Sequence, residues 1–337
     1  MKKVSSFAKK TFRALNCQSV YKVYPEIIEE CENRIKNGEP VYYVGVKNTH
    51  VFPSEYLDTL QKEGYLIHTK DKMSHNGRAI DLSLHNPITG RYMTGSSSGT
   101  AINVFLGIND LGIGTDGGGS VLAPAAALNL FGFISPLICQ KEMERFQKKS
   151  TDSIIFTPSI GYMSKQLDPL RNLVNVHLHW KTAKKLNTVI ATPKNDQQIA
   201  QYNQVKKVLN CDTTLMMNYD SSSRHQLIKD LQQFDFNNQL LITFEGPVDV
   251  LDYGDSVMGN YSNSTKQKQQ NGHKYYLTVI NMLGLSALTI PSNDLAVSTL
   301  IICQSEPDAI LAMFNLANKI PFVRSALEEN YFSIENM

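Results

Sequence analysis

GSSSGTAINVFLGINDLGIGTDGGGSVLAP, residues 95–124, contains two glycine- and serine-rich loops joined by a short helical stretch (AINVFL) and a buried strand end (LGIG). Loops that mix glycine with serine let a backbone approach a ligand closely and aim bare N–H groups at it. Two of them this near in sequence can converge on one pocket. The sequence that follows, VLAPAAALNLFGF (121–133), is strongly apolar, so these glycines border a core and are not part of a linker. Gly112, Gly114 and Gly117 also spell G-x-G-x-x-G. That fingerprint needs a helix opening directly after it and an acidic residue about 20 positions on. Here Ser120 and Pro124 follow, and Glu142 and Glu144 lie in a charged run, so no nucleotide cofactor is expected.

A chain of 337 residues with 42% apolar and 19% charged residues has the composition of a globular protein with a substantial core. A net charge of +2 gives no reason to expect a nucleic-acid partner. The basic start (Lys2, Lys3, Lys9, Lys10, Arg13) is followed by no apolar run of signal-peptide or membrane-spanning length, so neither secretion nor stable membrane insertion is expected. Five cysteines without a C-x-x-C pair fit reduced thiols and a cytoplasmic location. His177 and His179 have strand-alternation spacing but no third ligand nearby, so no metal site is expected.

Taken in order, residues 20–37 have helical spacing of apolar positions, stopped by Gly38. VYYVGVKNTH (41–50) is a β-rich strand running into Lys47. A helix over 54–64 and a strand over 65–70 follow. The residues after Pro124 continue as an apolar helix, and 141–150 is a charged, solvated helix. Residues 186–235 alternate strand-like and helix-like pieces, which suggests βαβ layering. Residues 253–273 are polar throughout and read as a long loop or flap. The final apolar helix (306–320) covers the sheet.

The glycine- and serine-rich stretch resembles the amidase signature family of serine hydrolases. The family's Gly-Gly-Ser-Ser-Gly-Gly appears as Gly95-Ser96-Ser97-Ser98-Gly99-Thr100. Its Gly-Thr-Asp-x-Gly-Gly-Ser-x-Arg-x-Pro-Ala appears as Gly114-Thr115-Asp116-Gly117-Gly118-Gly119-Ser120-Val121-Leu122-Ala123-Pro124-Ala125. Upstream, Gly38-Glu39-Pro40 and Val46-Lys47-Asn48 are similar to its Gly-x-Pro…Val-Lys-Asp. The resemblance implies an α/β fold with a mixed central sheet sandwiched by helices. Residues 1–337 would form one domain, with a helical arm over 1–37 and a shortened middle at about 150–250.

The resemblance also implies a relay from Lys47 through Ser97, at a cis non-proline peptide, to the nucleophile Ser120. The amides of Gly117, Gly118, Gly119 and Ser120 would receive the oxyanion. Met73, Ser96, Ser98, Thr115 and Asp116 would contact the substrate. A lysine base must be desolvated enough to sit neutral, and the apolar approach VYYVGV supports burial. The implied reaction converts a small-molecule amide to a carboxylate and an amine, with no metal or cofactor. A glutaminase-type subunit supplying ammonia to a partner and a catalytically reduced binding protein are the alternatives. A short middle admits a more open pocket or one completed in a homodimer. Three departures stand out: Asn48 replaces the family's Asp, Leu122 replaces its Arg, and the 23 positions from Ser97 to Ser120 leave the linker one residue short.

Overall fold

The computed structural model describes residues 2–219 and 223–332. Its first five strands are β1 (Val20–Val23), β2 (Tyr42–Lys47), β3 (Tyr65–Asp71), β4 (Ile80–His85) and β5 (Tyr92–Thr94). The middle strands are β6 (Leu111–Asp116), β7 (Phe131–Ser135), β8 (Lys148–Lys149), β9 (Ile155–Phe156) and β10 (Ser159–Ser164). The last are β11 (Asn187–Ala191), β12 (Thr214–Leu215), β13 (Gln239–Glu245), β14 (Ser286–Pro291) and β15 (Ser298–Cys303). Eleven of them form one sheet in the order β1-β3-β2-β6-β10-β7-β14-β15-β13-β11-β12. The sheet is mixed: β2 runs parallel to β3 and β6, and β11 parallel to β12 and β13, while β10, β7, β14 and β15 join antiparallel.

Helices cover both faces. The first seven are α1 (Lys2–Leu15), α2 (Ile27–Lys36), α3 (Ser54–Lys62), α4 (Ser98–Phe105), α5 (Leu122–Ala127), α6 (Gln140–Glu144) and α7 (Leu167–Leu178). The rest are α8 (Ile199–Leu209), α9 (Arg224–Gln232), α10 (Ser256–Gly259), α11 (Asn263–Gln270), α12 (Pro307–Ala317) and α13 (Ala326–Phe332). One core packs α4, α5 and α9 against the sheet through residues such as Phe105, Ala125 and Leu227. The other packs α3, α7, α8 and α12 through Leu60, Leu173, Val205 and Phe314. Strands between two such layers are buried on both faces, and β7, β10, β14 and β15 are buried at every position.

Several local expectations change. The helical spacing over 20–37 splits at Pro25: Val20–Val23 pairs antiparallel with β3, and the helix begins only at Ile27. Alternating valine and tyrosine or lysine satisfies either period over four residues, and the free edge of β3 decides. The apolar run after Pro124 is helical only to Ala127. Asn129 then turns at φ +47°, and Phe131–Ser135 enters the sheet. Gly132 allows that entry, because a Cβ there would stand 2.6 Å from the Ala125 methyl. The charged run 141–150 holds only the short α6 and then β8, which pairs with β9. His177 lies on α7 and His179 caps it, so the pair is not on a strand.

The polar segment 253–273 contains α10 and α11. Caps mark both helices: Asp255 accepts from the amides of Val257 and Met258, and Ser262 and Thr265 form a capping box. α11 (NSTKQKQQ) is polar on every side and α10 (SVMG) is a single turn, so neither has an amphipathic period to signal a helix.

Two buried carboxyls shape how stability depends on pH. Burial raises Asp71 to about 7 and Glu245 to about 8. Asp71 accepts from Thr69 Oγ1 and Asn103 Nδ2, both at 2.6 Å, and Glu245 accepts from the Tyr275 amide at 2.7 Å. Between the ordinary carboxyl range and these raised values the folded chain binds more protons than the unfolded one, so stability falls as pH rises. Asp71→Asn is expected to shrink the loss of unfolding free energy, measured by urea titration, between about pH 4.5 and about pH 7.5. An unchanged slope would remove Asp71 from the account.

Candidate active site

The two ends of the glycine- and serine-rich stretch meet. Gly95, at φ +75°, lies so close to the Pro124 ring that a Cβ would stand 2.4 Å from its Cδ. Between these ends, β6 lies beside β2, and α4 packs across both strands. The amide of Ser97 donates to the carbonyl of Ser120 at 3.2 Å, which ties the first serine loop to the second. Sheet pairing thus brings together segments some 50 and 70 positions apart at a cleft of about 590 Å³, lined by Lys47, Ser96, Thr115, Gly118 and Ser120 among others.

Lys47 is the last residue of β2 and is only 3% exposed. Its Nζ donates to Ser96 Oγ at 2.6 Å and to Thr115 Oγ1 at 3.0 Å. Burial draws its pKa down to about 7, against the Asp116 carboxylate, which favours the charged form; the Lys148 ammonium works in the same direction as burial. An amine in this position is a base available near neutrality.

The serine beside it is Ser96, not Ser97. Neighbouring residues here point opposite ways. Ser97 is fully buried at the start of α4 and packs on β6, where a Cβ at Gly114 would come within 2.5 Å of its Oγ. The Ser97 hydroxyl has no hydrogen-bond partner among the described residues. Among those residues the one cis peptide is Gly246–Pro247, so the cis bond expected at Ser97 is absent. Ser96 lies 24 positions before Ser120, which removes the one-residue shortfall in the linker. That shortfall is the feature of the sequence that points to Ser96 in place of Ser97.

Ser120 is half-buried and lines the cleft, and its hydroxyl makes no hydrogen bond among the described residues. The expected set of four oxyanion donors loses one. The Gly119 amide donates to Asp116 Oδ1 at 2.7 Å, and Gly119, at φ +92°, faces Leu277. The amides of Gly117, Gly118 and Ser120 make no hydrogen bond among the described residues. At Gly117 the need for glycine comes from a neighbour, since a Cβ would stand 2.1 Å from the Phe156 ring.

Of the expected substrate contacts, Met73, Ser96, Thr115 and Asp116 line the cleft. Ser98 does not: it donates to the buried Asp81 at 2.6 Å, away from the opening. Asp116 explains why Leu122 is tolerated where the family has arginine. Its carboxylate accepts the amides of Gly119, Val121 (2.6 Å) and Leu122 (3.2 Å), so backbone donors meet the charge that a guanidinium would otherwise meet. The cleft wall also holds Arg78, Lys148, Lys149 and Arg224, which the motifs gave no reason to single out. A larger hollow of about 850 Å³ lies beside α1, and none of Lys47, Ser96 or Ser120 reaches it.

A family model described as Amidase matches residues 46–208. Over that span the chain is similar to the amidase family. The amidase match opens one residue before Lys47 and includes both serine loops. No curated protein matches the sequence. Among solved structures, an amidase is 13% identical with TM-score 0.62, covering 94% of each chain. Kluyveromyces lactis allophanate hydrolase is 14% identical with TM-score 0.61, covering 97% of this chain and 73% of that one. A 6-aminohexanoate cyclic dimer hydrolase is 10% identical with TM-score 0.65, covering 96% and 95%. At these identities the likeness is one of fold. Among the described residues no helix is long and apolar enough to cross a membrane.

Proposed function

We propose that this chain hydrolyses a carboxamide through a covalent acyl intermediate on Ser120, with Ser96 relaying the proton to Lys47. One observation carries the proposal: a buried amine, drawn down to about 7, hydrogen-bonded at 2.6 Å to a serine that shares its cleft with a second serine whose hydroxyl has no hydrogen-bond partner among the described residues. Ser120 Oγ attacks the amide carbon and its proton passes to Ser96, whose own proton passes to Lys47. The free amides of Gly117, Gly118 and Ser120 receive the oxygen as it gains negative charge. Collapse of the tetrahedral intermediate breaks the C–N bond, and the proton returns from Lys47 through Ser96 to the departing amine. Water then attacks the acyl-serine by the same relay in reverse, releasing a carboxylate and restoring Ser120. This is the Ser-Lys counterpart of a Ser-His-Asp triad.

The test is covalent labelling with a fluorophosphonate probe and peptide mapping of the adduct. The label is expected on Ser120 and absent from a folded Ser120→Ala variant. Labelling that survives this substitution would refute a serine nucleophile at that position.

Gly117 offers a second measurement. Gly117→Ala drives a methyl into Phe156 and moves the loop that carries the free amides. A drop in kcat/KM on the order of 10²-fold is expected, the scale for losing one oxyanion donor. Adding Phe156→Leu should recover part of it. No recovery would mean that the clash with Phe156 is not the cause.

A further inference from the structure

The cleft has a lopsided charge. Four basic side chains line it, Arg78, Lys148, Lys149 and Arg224, and among the described residues the one carboxylate in its wall is Asp116, which is fully buried and held by three backbone amides. Arg78 is spoken for, since its Nε and Nη2 both donate to Asp255, at 2.9 and 2.6 Å. Lys148 and Lys149 are exposed on β8 and have no ion-pair partner among the described residues. Lys148 is close enough for its charge to be felt at Lys47.

Arg224, the first residue of α9, is clamped on one side only. Its Nε donates to Asp152 Oδ2 at 2.7 Å, and its Nη2 is held by Asp152 Oδ1 and by Thr151 Oγ1 at 3.1 Å. Nη1 makes no hydrogen bond among the described residues, and it lies 3.1 Å from where a Cβ at Gly118 would stand. A guanidinium fixed along one edge, with its remaining nitrogen presented to a cleft, is preorganised for an anion, because its rotamer is already set before the ligand arrives. This nitrogen borders the loop whose amides would take the oxyanion, so a group bound to it lies only a few bonds from the scissile carbonyl.

We propose that the substrate is an anionic amide, a short carboxamide carrying a carboxylate, and that Arg224 Nη1 binds that carboxylate while Lys148 and Lys149 draw it into the cleft. The proposal rests on the serine-hydrolase reading of the same site and narrows its substrate class. Lysines on an exposed strand act at range and are screened by salt, whereas the clamped guanidinium makes the directed contact.

The test uses protection of Ser120 against fluorophosphonate labelling, which requires binding but not turnover. Glutaramate, the monoamide of a short dicarboxylic acid, is compared with pentanamide, which has the same carbon count and no charge. Half-protection is expected at about 10- to 100-fold lower concentration of glutaramate, the scale of one charge-assisted hydrogen bond. The advantage should shrink with added salt and collapse in Arg224→Gln. Because that variant also releases Asp152, Lys148→Gln/Lys149→Gln is measured beside it. Those positions are exposed, and the advantage should fall there too, mainly through the salt-dependent part. Equal protection by the two amides, or an advantage that neither variant alters, overturns the carboxylate site while leaving the hydrolase reading intact. A protein whose Ser120 never takes the label loses the hydrolase reading and this proposal together.

Discussion

Lys47→Met is expected to lower kcat/KM for amide hydrolysis on the order of 10²–10⁴-fold, the range for removing a positioned general base. Methionine keeps the volume at the end of β2 and deletes the amine, so the fold should survive a loss of this kind. In the unsubstituted chain, kcat/KM should rise with pH and level off above about 7. Lys47 accepts a proton only when neutral, and burial has brought its pKa down to about 7 despite the opposing Asp116 carboxylate. A pH–rate profile with no limb near 7, or one still climbing toward pH 10, would mean that the group titrating in catalysis is not this amine.

The same burial has a stability consequence of fixed sign. A lysine whose folded value lies below its unfolded one costs stability while it is protonated in both states. That cost is relieved as pH rises from about 7 toward the ordinary lysine range. Lys47→Met should flatten that rise in denaturant titrations.

The second large effect separates two adjacent serines. Ser96→Ala is expected to reduce kcat/KM on the order of 10²–10⁴-fold, because it removes the hydroxyl that Lys47 Nζ touches at 2.6 Å. Ser97→Ala should leave catalysis within about tenfold, because the hydroxyl it removes has no hydrogen-bond partner among the described residues and faces Gly114. A relay acts as a unit, so the double variant Lys47→Met/Ser96→Ala should be little worse than either single one. The reverse ranking, with Ser97→Ala the damaging change, would restore the register expected from the sequence and refute the one drawn from the structure. Additive losses in the double variant would deny that Lys47 and Ser96 act together.

Much of this site is legible without coordinates because its chemistry constrains residue type. The glycines at 114 and 117 are needed where Ser97 and Phe156 press on the backbone, and a lysine ending an apolar strand points to burial. The glycines and the lysine are carried by residue identity and spacing, whereas the neighbours that press on the glycines, Ser97 and Phe156, come from tertiary packing. The three free amides beside Ser120 are less legible: glycine frees a backbone N–H, but only Asp116, folding back on Gly119, determines which N–H stays free. Similarly, Val20–Val23 fits either a helix or a strand over four residues, and the vacant edge of β3 settles the matter.

By itself, the order of residues established the strand-to-lysine approach at 42–47, the two glycine- and serine-rich loops, and the helix-and-strand alternation of an α/β sheet. Only the tertiary structure decided that Ser96 rather than Ser97 meets Lys47, that Ser98 turns inward to Asp81, and that Arg224 comes to the rim of the cleft from about a hundred positions downstream. The reason is directional. A sequence states which hydroxyls and amines lie within a few residues of one another, but where each one points depends on the sheet partner and the helix packed against it. At the turn into α4, Ser96 meets Lys47 while Ser97 packs on Gly114, so an error of one residue exchanges the cleft for the core.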